Sequence, residues 1–251
     1  MTRYRHIRTL SVFALAMITL ILSATASSAA AAKKPPILLS IKKIFFEYNS
    51  TASAFGDLGV HVFLDGEDWR EIKIINPNGR TIFEVEGKGP YKELGMTELF
   101  FEGAEPDLAD VPLQELLDKF PAGDYKFVGR NVDGVKISDT ATLSHAIPAG
   151  PTIVSAVLNG DGSLTITWNK VTGIPNNPNV TFPNEPINVV AYQVIVSDFQ
   201  VTVPATGANT QSVTVSKEYV ASLDSGEQLF EVLAIDISGN QTITESSFIK
   251  P

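Results

Sequence analysis

The residues best suited to chemistry after position 32 are two histidines and two groups of acidic side chains. His61 lies in LGVHVFL and His145 follows a strand-like run, and an imidazole can act as a base or a metal ligand near neutral pH. Grouped carboxylates could supply the six to eight oxygens that Ca²⁺ prefers. The two groups are Asp65, Glu67 and Asp68, and Glu102, Glu105, Asp107 and Asp110.

None of these residues falls in a recognisable catalytic or metal-binding motif. The sequence contains no G-x-S-x-G element, zinc-type histidine pair or phosphate-binding loop. Both histidines belong to the first half of the chain and could meet in space, but a histidine in a strand more often packs. We therefore assign no catalytic residue and no metal ligand, with Ca²⁺ at an acidic group as the alternative.

The first 32 residues are typical of a secretory signal peptide. Arg3, Arg5 and Arg8 precede an apolar run over residues 12–22, and alanines at 29–32 offer cleavage positions. The apolar run is shorter than a membrane helix needs. We expect a secreted or periplasmic protein that is not inserted in a membrane after cleavage. The absence of cysteine and of anchor motifs favours a bacterial source.

The charge of the remaining chain limits its partners. The sequence holds 19 Lys+Arg and 28 Asp+Glu, and removing Arg3, Arg5 and Arg8 leaves 16 against 28, a net charge of −12. Nucleic-acid binding depends on neutralising phosphates with basic side chains, so this class is excluded. A protein or polysaccharide partner is compatible with the charge, and the oligomeric state is open.

Residues 33–148 predict an antiparallel, immunoglobulin-like β-sandwich with one short helix. Asn76-Pro77-Asn78-Gly79 indicates a hairpin, and Asp65–Asp68 indicates an earlier turn. Leucines at helical spacing predict a helix after Asp110, which could cap it. Tyr125 follows a Pro-Ala-Gly corner, where a tyrosine hydroxyl can tie a strand to its preceding loop.

Residues 151–251 resemble a fibronectin type III module, and the second domain is predicted to span residues 149–251 from the Pro-rich joint at 147–151. The resemblance rests on the alternating strand around Trp168, on Tyr192 in the next strand, and on Phe230-x-Val232-x-Ala234 in the penultimate strand. It implies a second β-sandwich and a spacer, binding or accessory role. The family's corner tyrosine is replaced by Gln228, so its hydrogen bond is not expected. Together the two halves predict an all-β protein of two tandem antiparallel sandwiches.

The face of the penultimate strand that points away from the expected core is also apolar. Leu229, Leu233, Ile235 and Ile237 point away from the expected core, with Ile195 beside them on a neighbouring strand. We expect this face to be covered by the first domain, by the Pro-rich 172–187 loop through Phe182, or by a partner. The candidate binding residues are therefore Phe182, Ile195, Leu233 and Ile235.

These features predict an exported, non-catalytic binding or structural protein of the cell exterior or periplasm. A surface-polymer or protein-binding accessory is the most concrete form of this hypothesis. The alternative is a secreted hydrolase with its active site in the first domain. A third reading is a subunit of an extracellular assembly that docks through the apolar face.

Overall fold

The computed structural model describes residues 34–251, and the predicted signal peptide lies outside this range. Strands account for most of the described residues, which confirms the all-β prediction. Within residues 34–251, no helix has the length and apolar character needed to cross a membrane.

Thirteen strands and three short helices follow one another along the described chain. In the first half they are β1 (Ile41–Asn49), β2 (Asp57–Ile75), β3 (Thr81–Glu86), α1 (Pro90–Leu94), β4 (Met96–Glu102), α2 (Leu113–Lys119), β5 (Gly123–Asn131) and β6 (Lys136–Leu143). In the second half they are β7 (Ile153–Leu158), β8 (Leu164–Asn169), β9 (Val189–Val196), β10 (Phe199–Pro204), β11 (Thr210–Val215), α3 (Lys217–Ser222), β12 (Gly226–Asp236) and β13 (Gln241–Lys250).

Strand β2 runs through the predicted turn at Asp65–Asp68, so that turn prediction is wrong. Its first part pairs with β1 and β4, and its second part pairs with β3 and β5. The register shifts between Asp65 and Trp69, and Asp68 has a positive φ of 53°. Irregularities of this kind let one strand turn a corner between packed layers.

The helix predicted after Asp110 begins at Leu113, but its cap differs from the prediction. Pro112 occupies the N-cap position, and no side chain makes a capping hydrogen bond there. Leu113, Leu116 and Leu117 are buried, as the helical spacing predicts. The first half also contains α1, a second short helix, which the apolar pattern did not indicate.

The second half arranges three strands against four. One sheet has the order β11-β8-β7, and the strands β10-β9-β12-β13 form part of the other. Trp168 and Tyr192 are fully buried between them. The Gln228 side-chain amide donates to the carbonyl of Asp224 at 3.1 Å, four residues back. The Tyr125 hydroxyl donates to Pro121 over the same spacing, so glutamine takes the role expected of a tyrosine.

Two buried apolar clusters lie on either side of the predicted boundary at residues 148–149. One is built from residues 39–147 with Phe182, and the other from residues 164–248. A ten-stranded sheet nevertheless runs through both halves, and residues 35–251 form one compact unit. The division into two independent domains stays a prediction.

The two halves are joined where β1 pairs in parallel with β13, Glu47 opposite Gln241 and Asn49 opposite Ile243. We call residues 46–51 and 240–245 the seam. Within the seam, Asn240 is fully buried and connects its segments by hydrogen bonds. The Asn240 side chain accepts from the N–H of Phe46 at 2.8 Å and donates to the carbonyls of Ser144 and Ala146 at 2.8 and 3.0 Å.

Candidate binding site

The outer face of the ten-stranded sheet is the side away from the two buried clusters. Strand register and side-chain alternation place the residues of this face in a row from β9 to β4. The row consists of Gln193 and Ile195 on β9, Glu231, Leu233 and Ile235 on β12, Gln241, Ile243 and Glu245 on β13, Phe45, Glu47 and Asn49 on β1, His61 on β2 and Glu102 on β4.

The four residues predicted to bind a partner do not form one surface. Ile195 and Ile235 lie half-buried on the outer face. Leu233 shares that face but is only 2% exposed, so the chain itself covers it. Phe182 lies in the first buried cluster, with its ring 4.9 Å from the ring of Tyr48. Leu233 and Phe182 are thereby removed from the candidate binding surface.

A cleft opens on the outer face where β1 and β13 separate. The ladder between these strands begins only at Glu47, and the cleft of about 470 Å³ lies beside the preceding part of β1. Its lining includes Ile235, which the apolar pattern had indicated, and the exposed Ile237. The remaining lining comes from β1, β6, β9, β10 and the β12–β13 turn: Lys42, Lys43, Ile44, Phe45, Ala141, Thr142, Gln193, Thr202, Ser238, Gly239 and Gln241.

The two histidines lie on opposite faces of the sheet, so they cannot form one site. The ring of His61 stacks on Phe45 of the outer face at 5.1 Å. The ring of His145 packs against Phe46 of the inner face, and its Nε2 lies 2.9 Å from the carbonyl of Phe120. Because adjacent residues of β1 point to opposite sides, these contacts separate the histidines.

His61 instead meets carboxylates from three other positions. Its Nε2 lies 3.5 Å from Glu47, 3.7 Å from Glu105 and 3.9 Å from Glu102. The donor atoms of Glu47, His61 and Glu105 all lie within 4.8 Å of one another. Sequence reasoning considered Glu102 and Glu105 but missed Glu47, whose signal was a carboxylate inside the apolar strand IKKIFFEYN.

Burial and mutual repulsion disfavour the charged forms of these carboxylates. Burial raises the pKa of Glu47 from 4.5 to about 7, assisted by the charges of Glu102, Glu231 and Asp57 and opposed by a hydrogen bond from Gln241. Burial, a hydrogen bond with Glu102 and neighbouring charges raise the pKa of Glu105 to about 8. Burial lowers the pKa of His61, so its imidazole is held neutral.

No protein-family model matches the chain. No curated protein sequence matches it either. The fold and site are therefore interpreted from their own geometry.

Solved structures give only distant likenesses. The spore cortex lytic enzyme SleM of Clostridium perfringens is 19% identical over 41% of this chain and 28% of its own, with a TM-score of 0.30. A bacterial ice-binding adhesin is 13% identical over 87% and 65%, with a TM-score of 0.26. The glycoside hydrolase domain of Endo-D from Streptococcus pneumoniae is 13% identical over 84% and 36%, with a TM-score of 0.31.

This chain spans less than two thirds of each of these three structures. TM-scores of this size do not establish a shared fold. What the three proteins do is accordingly not transferred to this chain.

Proposed function

We propose that this chain is an exported, non-catalytic binding protein that holds an extended peptide in the outer-face cleft. The peptide pairs with β1 as an added strand. The observation that carries the proposal is the backbone edge of β1 at Lys42–Ile44, which the ladders of β1 leave unpaired on one side and whose residues line the cleft. Strand addition of this kind uses main-chain hydrogen bonds for affinity and side-chain pockets for specificity.

Hydrogen bonding along β1 shows which of its residues face the cleft. Phe46 and Ser50 donate their N–H groups across the seam, so even-numbered residues of β1 direct backbone groups away from β2. Lys42 and Ile44 share that direction. Within residues 34–251, the ladders of β1 leave these two residues unpaired on this side.

The lining supports the same geometry. Lys42, Lys43, Ile44 and Phe45 are consecutive, and Ile44 is only 2% exposed. Since alternate side chains point to opposite faces, four consecutive residues can line one cleft only if their backbone edge is part of it. A volume of about 470 Å³ lies in the ordinary range for ligand sites.

The side chains around this edge define the peptide that fits. Ile235 and Ile237 offer an apolar contact, and Gln193 and Thr202 offer hydrogen-bonding groups. Lys42 is paired with Asp139 at 3.1 Å, whereas Lys43 is exposed. The matching peptide is extended and carries an apolar residue near an acidic one.

The wider setting proposed for this site is the cell exterior or periplasm. The basic start and apolar run of residues 1–32 support export. The three-against-four strand arrangement, with Trp168 buried between the sheets, supports a fibronectin type III-like identity for residues 151–251. Such modules commonly present binding surfaces, so this identity is compatible with peptide capture.

Proline at position 42 tests the open edge directly. Peptides would be selected from a displayed library of short linear sequences on the purified chain, and their affinities measured by fluorescence polarisation. Lys42→Pro removes an N–H that faces the cleft, and we expect at least about tenfold weaker binding, the loss of one or more net hydrogen bonds. Lys42→Ala loses the ion pair but keeps the N–H, so it should bind nearly as tightly as the wild type.

A second pair of variants tests the cleft without changing any residue of β1. Ile237→Arg fills the cleft at a side chain that is 69% exposed, and Ile249→Arg makes the same change outside it at one that is 65% exposed. Only the first should abolish peptide binding. Equal binding by Lys42→Pro and Lys42→Ala would overturn the proposal. So would selective binding of a polysaccharide panel, lost in Ile237→Arg, without any enriched peptide.

A further inference from the structure

The Nε2 atom of the buried His61 imidazole lacks a hydrogen-bond partner among residues 34–251. The residue is 5% exposed. A buried polar atom without a partner destabilises the folded state, so its place in a packed face calls for a physical reason. The nitrogen is directed at the carboxylates of Glu47 and Glu105, at 3.5 and 3.7 Å.

Two aromatic rings pack on this imidazole, and a glycine leaves space for a neighbouring carboxylate side chain. Its ring lies between Phe45 at 5.1 Å and Phe100 at 5.8 Å. Gly59, opposite Glu47 in the β1–β2 ladder, leaves the space into which Glu105 folds. A Cβ at Gly59 would lie 2.6 Å from the Glu105 Cγ. The two aromatic rings therefore hold the imidazole, and the gap at Gly59 accommodates the Glu105 side chain.

We propose that Glu47, His61 and Glu105 bind a divalent transition-metal cation of the zinc class, with Glu102 as an adjacent third carboxylate. One imidazole nitrogen with carboxylate oxygens is a ligand set that Zn²⁺ accepts. Ca²⁺ and Mg²⁺ prefer oxygen ligands throughout, so they fit this set less well. The site does not depend on the proposed peptide cleft.

The observed spacing is close to that of ligands around one ion. Zinc bonds of about 2.0–2.1 Å place neighbouring tetrahedral ligands about 3.3 Å apart. The measured separations of 3.5 and 3.7 Å need only small side-chain movements to reach this value. Three carboxylates lie within 3.9 Å of the same imidazole nitrogen, and a bound cation would relieve the repulsion among them.

Calorimetric titration of the untagged, chelator-treated chain with ZnCl₂ tests the site. We expect one Zn²⁺ per chain and, at a free concentration about 100 times the dissociation constant, a melting temperature about 5 °C higher. CaCl₂ and MgCl₂ at equal concentration should give neither effect. The His61→Phe variant keeps the ring packing, and its Zn²⁺ affinity should fall at least about 100-fold.

The matched control is His145→Phe, which replaces the inner-face histidine and should leave Zn²⁺ affinity unchanged. Glu105→Gln at the less buried ligand gives a second test should His61→Phe fail to fold, and it should weaken binding at least about tenfold. Undiminished binding by either ligand variant would overturn the site. So would absence of Zn²⁺ binding by the wild type, or equal losses in His61→Phe and His145→Phe.

Discussion

Asn240→Ala should lower the free energy of unfolding by about 4 kcal/mol, because two buried backbone groups and one partly buried one lose their partners at about 1–3 kcal/mol each. These groups are the N–H of Phe46 and the carbonyls of Ser144 and Ala146. They belong to two separate segments, β1 and residues 144–146, so alanine leaves no local replacement for any of the bonds. Urea unfolding followed by tryptophan fluorescence measures the change.

Asn78→Ala is the matched control, since Asn78 is exposed in the turn between β2 and β3. A substitution at such a surface position should change stability by no more than about 0.5 kcal/mol. If Asn240→Ala costs less than about 1 kcal/mol, the central role of Asn240 in the seam is wrong. A similar loss in both variants would also contradict it.

The second large effect is a pH-dependent difference between the wild type and Glu47→Gln in the presence of chelator. The pKa of Glu47 rises from 4.5 to about 7 on folding, chiefly through burial. Below pH 4.5 the carboxyl is protonated in both states, so its ionisation does not reduce the free energy of unfolding. As pH rises toward 7, the unfolded chain ionises first, so the wild type loses stability.

The glutamine of the Glu47→Gln variant cannot ionise, so the free energy of unfolding of the variant does not decrease in this way as pH rises. A shift of about 2.5 pKa units corresponds to about 3 kcal/mol, and Glu47→Gln should gain that much relative to the wild type between pH 5 and pH 8. His61, whose lowered pKa acts in the opposite direction below its usual 6.5, is present in both proteins. Glu47→Gln also removes a charge that helps to raise the pKa of Glu105, and this adds to the difference with the same sign. The facing charges of Glu102, Glu231 and Asp57 are also shared.

Chemical denaturation across this pH range measures the difference, and Glu67→Gln at an exposed position gives the baseline. A difference that stays constant with pH would show that Glu47 is not buried as described. A relative loss of stability by Glu47→Gln at high pH would contradict the sign.

Local pattern was sufficient to predict the inner face of β12. Phe230, Val232 and Ala234 alternate along β12, and all three are fully or almost fully buried. Alternation is a property of adjacent residues, so it can be read without knowing what packs on them. The helix at Leu113–Lys119 was predicted for the same reason, although its cap was not.

The β2 strand shows where local pattern failed. Asp65-Gly66-Glu67-Asp68 has the composition of a turn, yet β2 continues through it with pairing on both sides of the irregularity. The tertiary pairing overrides the local preference, which a single sequence does not reveal. The same limit applies to Leu233: its outward position and its cover were predicted, but the sequence left open whether the first domain, the 172–187 loop or a partner supplies that cover.

The carboxylate–histidine cluster depends on register, which the pattern left open. Pairing of β1 with β2 places Phe45 opposite His61 and Glu47 opposite Gly59. A one-residue slip would move Glu47 to the other face of the sheet and separate the cluster. Sequence could supply the residue types, but only the fold brings Glu105 over the gap at Gly59.

The parallel pairing at the seam has a mechanical consequence. In a parallel pair, the start of β1 and the end of β13 lie at opposite ends of the two strands. Tension applied between Ile41 and Lys250 therefore loads the seam in shear, so that its hydrogen bonds must break together and not one after another. A protein built this way would resist being pulled from its ends more strongly than its thermal stability alone implies.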